Sequence, residues 1–255
     1  MNETLNENRI KGSVAKAERQ VAILQSSYIP WKGYFDIIHD VDLFIFYDDV
    51  QYTLRDWRNR NRVKTARGAE WLTIPTNGTQ QHLICDVQFT DSKWQIKHWE
   101  TLRHVYGKAP YFERYRPFLQ DAYLGQHWTH LSELNQYLIK EISREFLGIS
   151  TCFADSRQYH AVDTKQERIK DLLKKAGATL YVSGPSAQSY IDEAEFAQTG
   201  IKLTWKDYSG YPEYPQFHQS FEHGVTILDL LFHMGPDAPY YIWGWRNFNG
   251  TIIDK

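Results

Sequence analysis

Apolar positions along this chain change their spacing twice. Residues 21–24 (VAIL) form an unbroken apolar run, the length of a buried strand. A polar, aromatic loop follows at 26–32, with Pro30 as its breaker. Residues 33–39 suit a short helix. Residues 43–47 (LFIFY) form an aromatic, β-branched strand that halts at Asp48 and Asp49. A strand, helix and strand of this size predict a parallel pair. Residues 57–64 alternate Arg with Asn, and 71–75 (WLTIP) and 85–89 (CDVQF) are further short strands.

The spacing then becomes helical. In 93–106 the apolar positions are Trp94, Trp99, Leu102, Val105 and Tyr106. Pro110 separates this helix from one at 111–123, and Leu131, Leu134, Leu138, Ile142 and Phe146 mark a third over 131–147. Strand and helix alternate again downstream: a helix at 164–176 stopped by Gly177, a strand at 180–182, a short helix at 193–198, a strand at 201–205 and a last helix at 225–233. The expected fold is α/β, with a mainly parallel sheet, βαβ units at both ends and a helical insertion at about 93–150. Residues 1–20 are polar, lack an apolar signal core, and read as a flexible leader. Residues 21–255 read as a single domain, with an aromatic tail at 240–253 that folds back on it.

Composition narrows the function classes. The net charge is −2, which argues against a dedicated nucleic-acid binder but leaves room for a local basic patch. Cys85 and Cys152 are far apart and in no CxxC spacing, which fits a reducing, cytoplasmic setting. There is no apolar run of transmembrane length. The 9 Trp, 17 Tyr and 13 Phe mostly fill cores, yet rings also suit concave sites for sugars or bases.

Four stretches carry candidate chemistry. Gln25, Tyr28, Trp31 and Lys32 lie where the first strand ends, the usual place for ligands in open α/β sheets. Gly33 permits close backbone approach there; a tight turn packed with aromatics is an equal reading. Asp48 and Asp49 could supply a general base or hold Mg²⁺, although neighbours on a strand point to opposite faces. No recognised metal motif is present. Arg58, Arg60, Arg62 and Lys64 would share one face of an extended run, suited to a diphosphate, with Asn59 and Asn61 opposite; the ordinary reading of such a run is a solvated face. Ser183, Gly184 and Ser186 follow a strand and could cradle an anion or acyl oxygen. This stretch is neither a P-loop nor GxSxG, and the chain lacks GxGxxG. Among the histidines, His98 is the candidate base, beside Trp94 and Trp99; a lone helical His is more often structural.

The stretches LQSSYIPWKGYFDII, DLFIFYDDVQY, WRNRNRVKT with WLTIP, HVYGKAPYF, LYVSGPSAQSYI, GIKLTWKDY and FEHGVTILDLLFHMG occur in this order. Together they resemble the WbqC-like protein family from residue 21 to 235. The resemblance implies a cytoplasmic bacterial protein tied to O-antigen or other surface-polysaccharide gene clusters, with amino-sugar acylation as a role suited to that setting. It carries no assigned catalytic set. The leading reading is an acyl- or aminoacyltransferase acting on the amine of a nucleotide-linked amino sugar, its donor unidentified and an aminoacyl-tRNA among the options. An ATP-dependent acyl-adenylate ligase and a non-catalytic sugar-binding or assembly protein are the alternatives.

Overall fold

The apolar runs pair side by side in a computed structural model that describes residues 18–248. Strand β1 (Gln20–Leu24) leads through helix α1 (Lys32–His39) to β2 (Leu43–Phe46), which lies parallel to β1 with Val21 opposite Leu43 and Leu24 opposite Phe46. Strands β3 (Arg60–Thr65) and β4 (Gly68–Thr73) form a separate antiparallel hairpin, with Arg60 opposite Thr73. Helices α2 (Lys93–Tyr106), α3 (Phe112–Gln120) and α4 (Leu131–Glu141) follow. Strand β5 (Cys152–Asp155), helix α5 (Lys165–Lys175), β6 (Leu180–Ser183), α6 (Glu193–Ala197), β7 (Lys202–Trp205) and α7 (Ile227–Met234) complete the order. The main sheet has five parallel strands in the order β5-β2-β1-β6-β7, so the α/β class with a mainly parallel sheet and an intervening helical segment is what the chain adopts.

The continuous apolar runs have a simple cause. Alternate residues of a strand face opposite sides, and a parallel sheet covered on both faces must be apolar on both. Val21, Ile23, Leu43 and Ile45 face Ile169, Leu172 and Leu173 of α5 and Phe196 of α6. Ala22, Phe44 and Phe46 face the other way, into a larger core with Leu102, Leu119, Leu134 and Leu138 of the helical segment and Leu231 of α7. The helix expected at 131–147 is α4 extended by a π turn, Ile142–Phe146, closed by Leu147 N–H donating to Ile142 O at 3.1 Å.

Two expectations need correction. Residues 85–89 are not a strand: Ile84–Asp86 is a 3-10 turn, and beyond it only isolated bridges join Gln88 to His130 and Phe89 to Thr76. The turn is anchored by single bonds, Ile84 N–H to Val50 O and Cys85 N–H to Asp48 O, both 2.9 Å, so no ladder forms. Strand β5 has no counterpart among the expected elements. It sits at the sheet edge, with Cys152 exposed, and an edge strand needs no two-faced apolar pattern. Of the expected leader, residues 1–17 lie outside the described residues, and Gln20 already belongs to β1. Of the expected tail, 249–253 lie outside them. The described part does fold back, with Trp243 stacked on His39 at 4.0 Å.

Candidate functional site

The sheet's strand order reverses beside β1. The chain runs outward through β2 and β5, then returns to the opposite side of β1 for β6 and β7. Such a reversal opens a crevice at the carboxyl ends of the two central strands, where ligands of open α/β sheets bind. Here the crevice is built into the pairing. β1 and β6 are paired only at Gln20–Leu180 and Val21–Tyr181, whereas β1–β2 and β6–β7 are each paired over four positions. Beyond Tyr181 the strands part, and a cavity of about 810 Å³ opens between Ile23 and Leu24 on one side and Ser183 and Gly184 on the other. That is the size of a small-molecule or cofactor site.

The loop after β1 is held by its neighbours. Ser26 N–H donates to Asp48 Oδ1 at 2.8 Å, and Arg58 Nη1 donates to Ser26 O at 3.0 Å. Asn61 Nδ2 donates to both Tyr28 O and Ile29 O, at 3.0 and 2.8 Å. The double grip holds Ile29 at φ +35°, a conformation costly for a β-branched residue. The Trp31 ring lies across Gly33, where an added Cβ would stand 2.3 Å from it. Tyr34 hydroxyl donates to Gln25 O at 2.9 Å. The result is a rigid floor: Gln25, Ser27, Trp31 and Tyr34 on the β1 side, Arg58, Asn61 and Arg62 from the hairpin, and Ser183, Gly184 and Ser186 after β6.

Of the candidates that residue pattern singles out, Gln25, Trp31, Arg58, Arg62, Ser183, Gly184 and Ser186 therefore meet at one cavity. Asn61 lines it too, whereas Tyr28, Lys32, Asp48, Asp49, Asn59, Arg60, Lys64 and His98 do not. Tyr28 is fully buried, so its ring is not offered to a ligand. Its hydroxyl instead joins Tyr123 and His98. His98 Nε2 lies 3.2 Å from Thr73 O, which can only accept, so Nε2 carries the proton. Nδ1 then accepts from Tyr28 at 2.9 Å. Burial pushes the His98 pKa down to about 4, and this histidine is a neutral core group. Lys32 is buried as well. Its ammonium sits 4.9 Å from the Tyr211 ring and donates to Pro212 O, and burial lowers its pKa to about 8.

The aspartates lie past the end of β2 and turn to different partners, and neither lines the cavity. Asp48 turns inward and accepts from Ser26 N–H, Ser132 Oγ and Gln136 Nε2; burial raises its pKa against those bonds. Asp49 pairs with Arg168 of α5 and accepts from Ser156 Oγ, both at 2.5 Å. Their carboxylates do not converge on one cation, so the pair does not fit a Mg²⁺ site. The row of basic residues is also divided. Lys64 is buried and donates to Gln216 Oε1 and Ser220 O. Arg60 lies over the Trp71 ring at 4.2 Å. Asn59 Nδ2 donates to Ile74 O at 2.8 Å, stitching the hairpin. Arg62 Nε donates to Gly224 O at 2.9 Å. Backbone carbonyls outside the strand compete for these side chains, which spacing along one strand does not reveal.

Tyr47, Trp57, Lys165, Ile169, Tyr190 and Tyr208 also line the cavity and are not among those candidates. Tyr47 and Tyr208 follow the ends of β2 and β7, so the strand-end rule applied to every strand would have found them. Lys165 and Ile169 lie four apart at the start of α5, and no local signal marks them. Burial raises the Tyr47 phenol to about 12 and holds Tyr208 higher still, so both stay protonated donors at neutral pH. Trp31 packs edge-on against Tyr208, with ring centroids 5.4 Å apart. Among the described residues the lining thus offers cations, hydroxyls, amides and rings, and no carboxylate, thiol or imidazole.

The sequence profile of the WbqC-like protein family matches residues 25–241, which include the whole lining except Ile23 and Leu24. A Mycobacterium tuberculosis (strain ATCC 25618 / H37Rv) protein described as "Uncharacterized protein Rv1507c" is 47% identical over 226 residues, covering 88% of this chain and 97% of that one. No solved structure matches the chain at a significant level.

Proposed function

The chain belongs to the WbqC-like protein family, and from that premise and the cavity's geometry we propose an enzyme of surface-polysaccharide biosynthesis that binds a nucleotide-linked amino sugar between the parted ends of β1 and β6. The observation that carries this reading is one cavity with two arginines, Arg58 and Arg62, and an aromatic wall of Trp31 and Tyr208, placed at the strand reversal. Arginine suits the phosphate oxygens, and the rings suit the base or the sugar. Gln25 and the 183–186 turn lie where donors could meet a developing oxyanion.

The reaction is acyl or aminoacyl transfer to the sugar amine. The amine nitrogen attacks the donor's ester carbonyl, a C–N bond forms, and the C–O bond to the leaving alcohol breaks. Asp48, Asp49 and His98 are held away from the cavity, so the amine proton passes to the departing oxygen rather than to one of them. In an assay with UDP-linked amino sugars, saturating ligand raises the melting temperature, and Arg62→Ala weakens binding about tenfold or more, the loss of one charge-assisted contact. No shift with any nucleotide sugar, and none lost in Arg62→Ala, overturns the proposal.

A second reading draws on the lining itself. A carboxylate attacking the α-phosphorus of ATP arrives ionised and needs no base, and phosphoryl chemistry asks mainly for positioning and electrostatic stabilisation. The cations, hydroxyls and amides of this cavity supply both. Pyrophosphate release from ATP and a carboxylic acid would favour this acyl-adenylate chemistry.

A further inference from the structure

Two exposed tryptophans stand together at the β3–β4 hairpin. Trp57, before β3, is 40% exposed and Trp71, on β4, is 46% exposed, with their ring centroids 5.2 Å apart. Arginines interleave with them: the Arg60 guanidinium lies 4.2 Å from the Trp71 ring, and that of Arg62 lies 5.9 and 5.8 Å from Trp57 and Trp71. Among the described residues Arg55 and Arg60 form no ion pair, and the Arg60 guanidinium has only the Arg55 carbonyl as its acceptor. The segment 55–73 holds six basic residues against Asp56 and Glu70, in a chain whose net charge is −2. Trp57, Arg58 and Arg62 also line the cavity, so the patch continues directly from its mouth.

We propose that the β3–β4 hairpin is a stacking platform for unpaired nucleotides, and that the donor is an aminoacyl-RNA whose single-stranded 3′ end lies across Trp57 and Trp71 before entering the cavity. This rests on the aminoacyl-transfer reading of the site and names its donor class. Rings that stack on bases of any sequence, set among arginines that track the backbone, are how proteins hold single strands. A neutral glycan would use the rings but leave Arg55 and Arg60 without an anionic partner. A free mononucleotide would be satisfied inside the cavity and would leave Trp71, outside the lining, unused.

The test is anisotropy titration of the full chain with a fluorescein-labelled twelve-nucleotide single-stranded RNA ending in CCA, beside a neutral oligosaccharide and a UDP-linked amino sugar. Trp71→Ala is expected to raise the RNA Kd by about 5- to 100-fold, the loss of one stacked base, and to leave UDP-sugar affinity unchanged. Arg60→Ala is expected to lower the slope of log Kd against log salt by about 0.7, one phosphate contact on a single strand. Circular dichroism melting confirms that both variants fold, which the exposure of Trp71 favours. RNA that fails to bind the unaltered chain, or binds Trp71→Ala equally well, overturns the platform even if the UDP-sugar binds. An oligosaccharide that binds in a Trp71-dependent way also overturns it, in favour of a glycan. RNA binding that needs Trp71 without any UDP-sugar binding upholds the platform and defeats the cavity reading alone.

Discussion

His98 shows how a single residue's surroundings decide its chemistry. Its Nε2–H donates to Thr73 O and its Nδ1 accepts from Tyr28, so a second proton would displace the Tyr28 hydrogen. With its pKa at about 4 in the fold and about 6.5 unfolded, the unfolded chain binds the extra proton first. The stability due to the neutral ring is therefore complete above pH 6.5 and is lost as pH falls to about 4, on the order of 3 kcal/mol. Urea titrations between pH 7 and 4 should show that loss; His98→Gln should start less stable and lose less over the same range. Gly33 is set by contact rather than by its backbone. Gly33→Ala would push its methyl into the Trp31 ring, so ligand affinity should fall about tenfold as the ring shifts, with a smaller effect on melting temperature. Equal affinity in the two proteins would show that the Trp31 ring is not part of the binding surface.

At the scale of elements, the loop after β1 owes its shape to the hairpin rather than to its own residues. Asn61 holds two carbonyls and a strained Ile29 together. Asn61→Ala leaves both carbonyls unsatisfied in a buried place, so it should cost about 2 to 4 kcal/mol and loosen the cavity floor. Hydrogen exchange should then be faster at residues 26–31 than in β2; unchanged exchange would count against the pinning. Element types and order were largely legible in the sequence, because 3.6-residue spacing and unbroken apolar runs record burial directly. Helix α2 occupies the expected 93–106. Strand β5 and the turn at 84–86 were not legible, since an edge strand and a singly bonded turn leave no periodic trace.

For the molecule as a whole, one carboxylate ties the end of the described chain to its beginning. Asp36 of α1, fully buried, takes two hydrogen bonds from Arg246, at 2.9 and 2.6 Å, one from the Tyr211 hydroxyl at 2.5 Å, and an ion pair with Lys206 at 2.9 Å. Removing one partner of a buried charge cluster leaves the others uncompensated. Asp36→Asn should therefore cost about 3 kcal/mol or more, read by denaturant unfolding, and expose the segment after β7 to limited proteolysis. Loss of less than about 1 kcal/mol would mean that the cluster is replaceable by water. Among the described residues no helix is long and apolar enough to cross a membrane.

The candidate site divides along the same line as the fold. Local pattern located the ends of β1 and β6, and so Gln25, Trp31 and the 183–186 turn, while Arg58 and Arg62 came from the alternation of basic residues along an extended run; all of these line the cavity. The sequence by itself also determined which residues are apolar on both faces, and hence that a covered parallel sheet forms. Only the tertiary structure decided that β1 and β6 part after two paired positions, that Tyr28, Lys32, Lys64 and His98 turn into the interior, and that Asp49 is claimed by Arg168. Those outcomes depend on partners more than 60 residues away in the chain, or on the other side of the sheet. Side-chain type and spacing carry no information about which buried carbonyl, carboxylate or ring will be there to receive them.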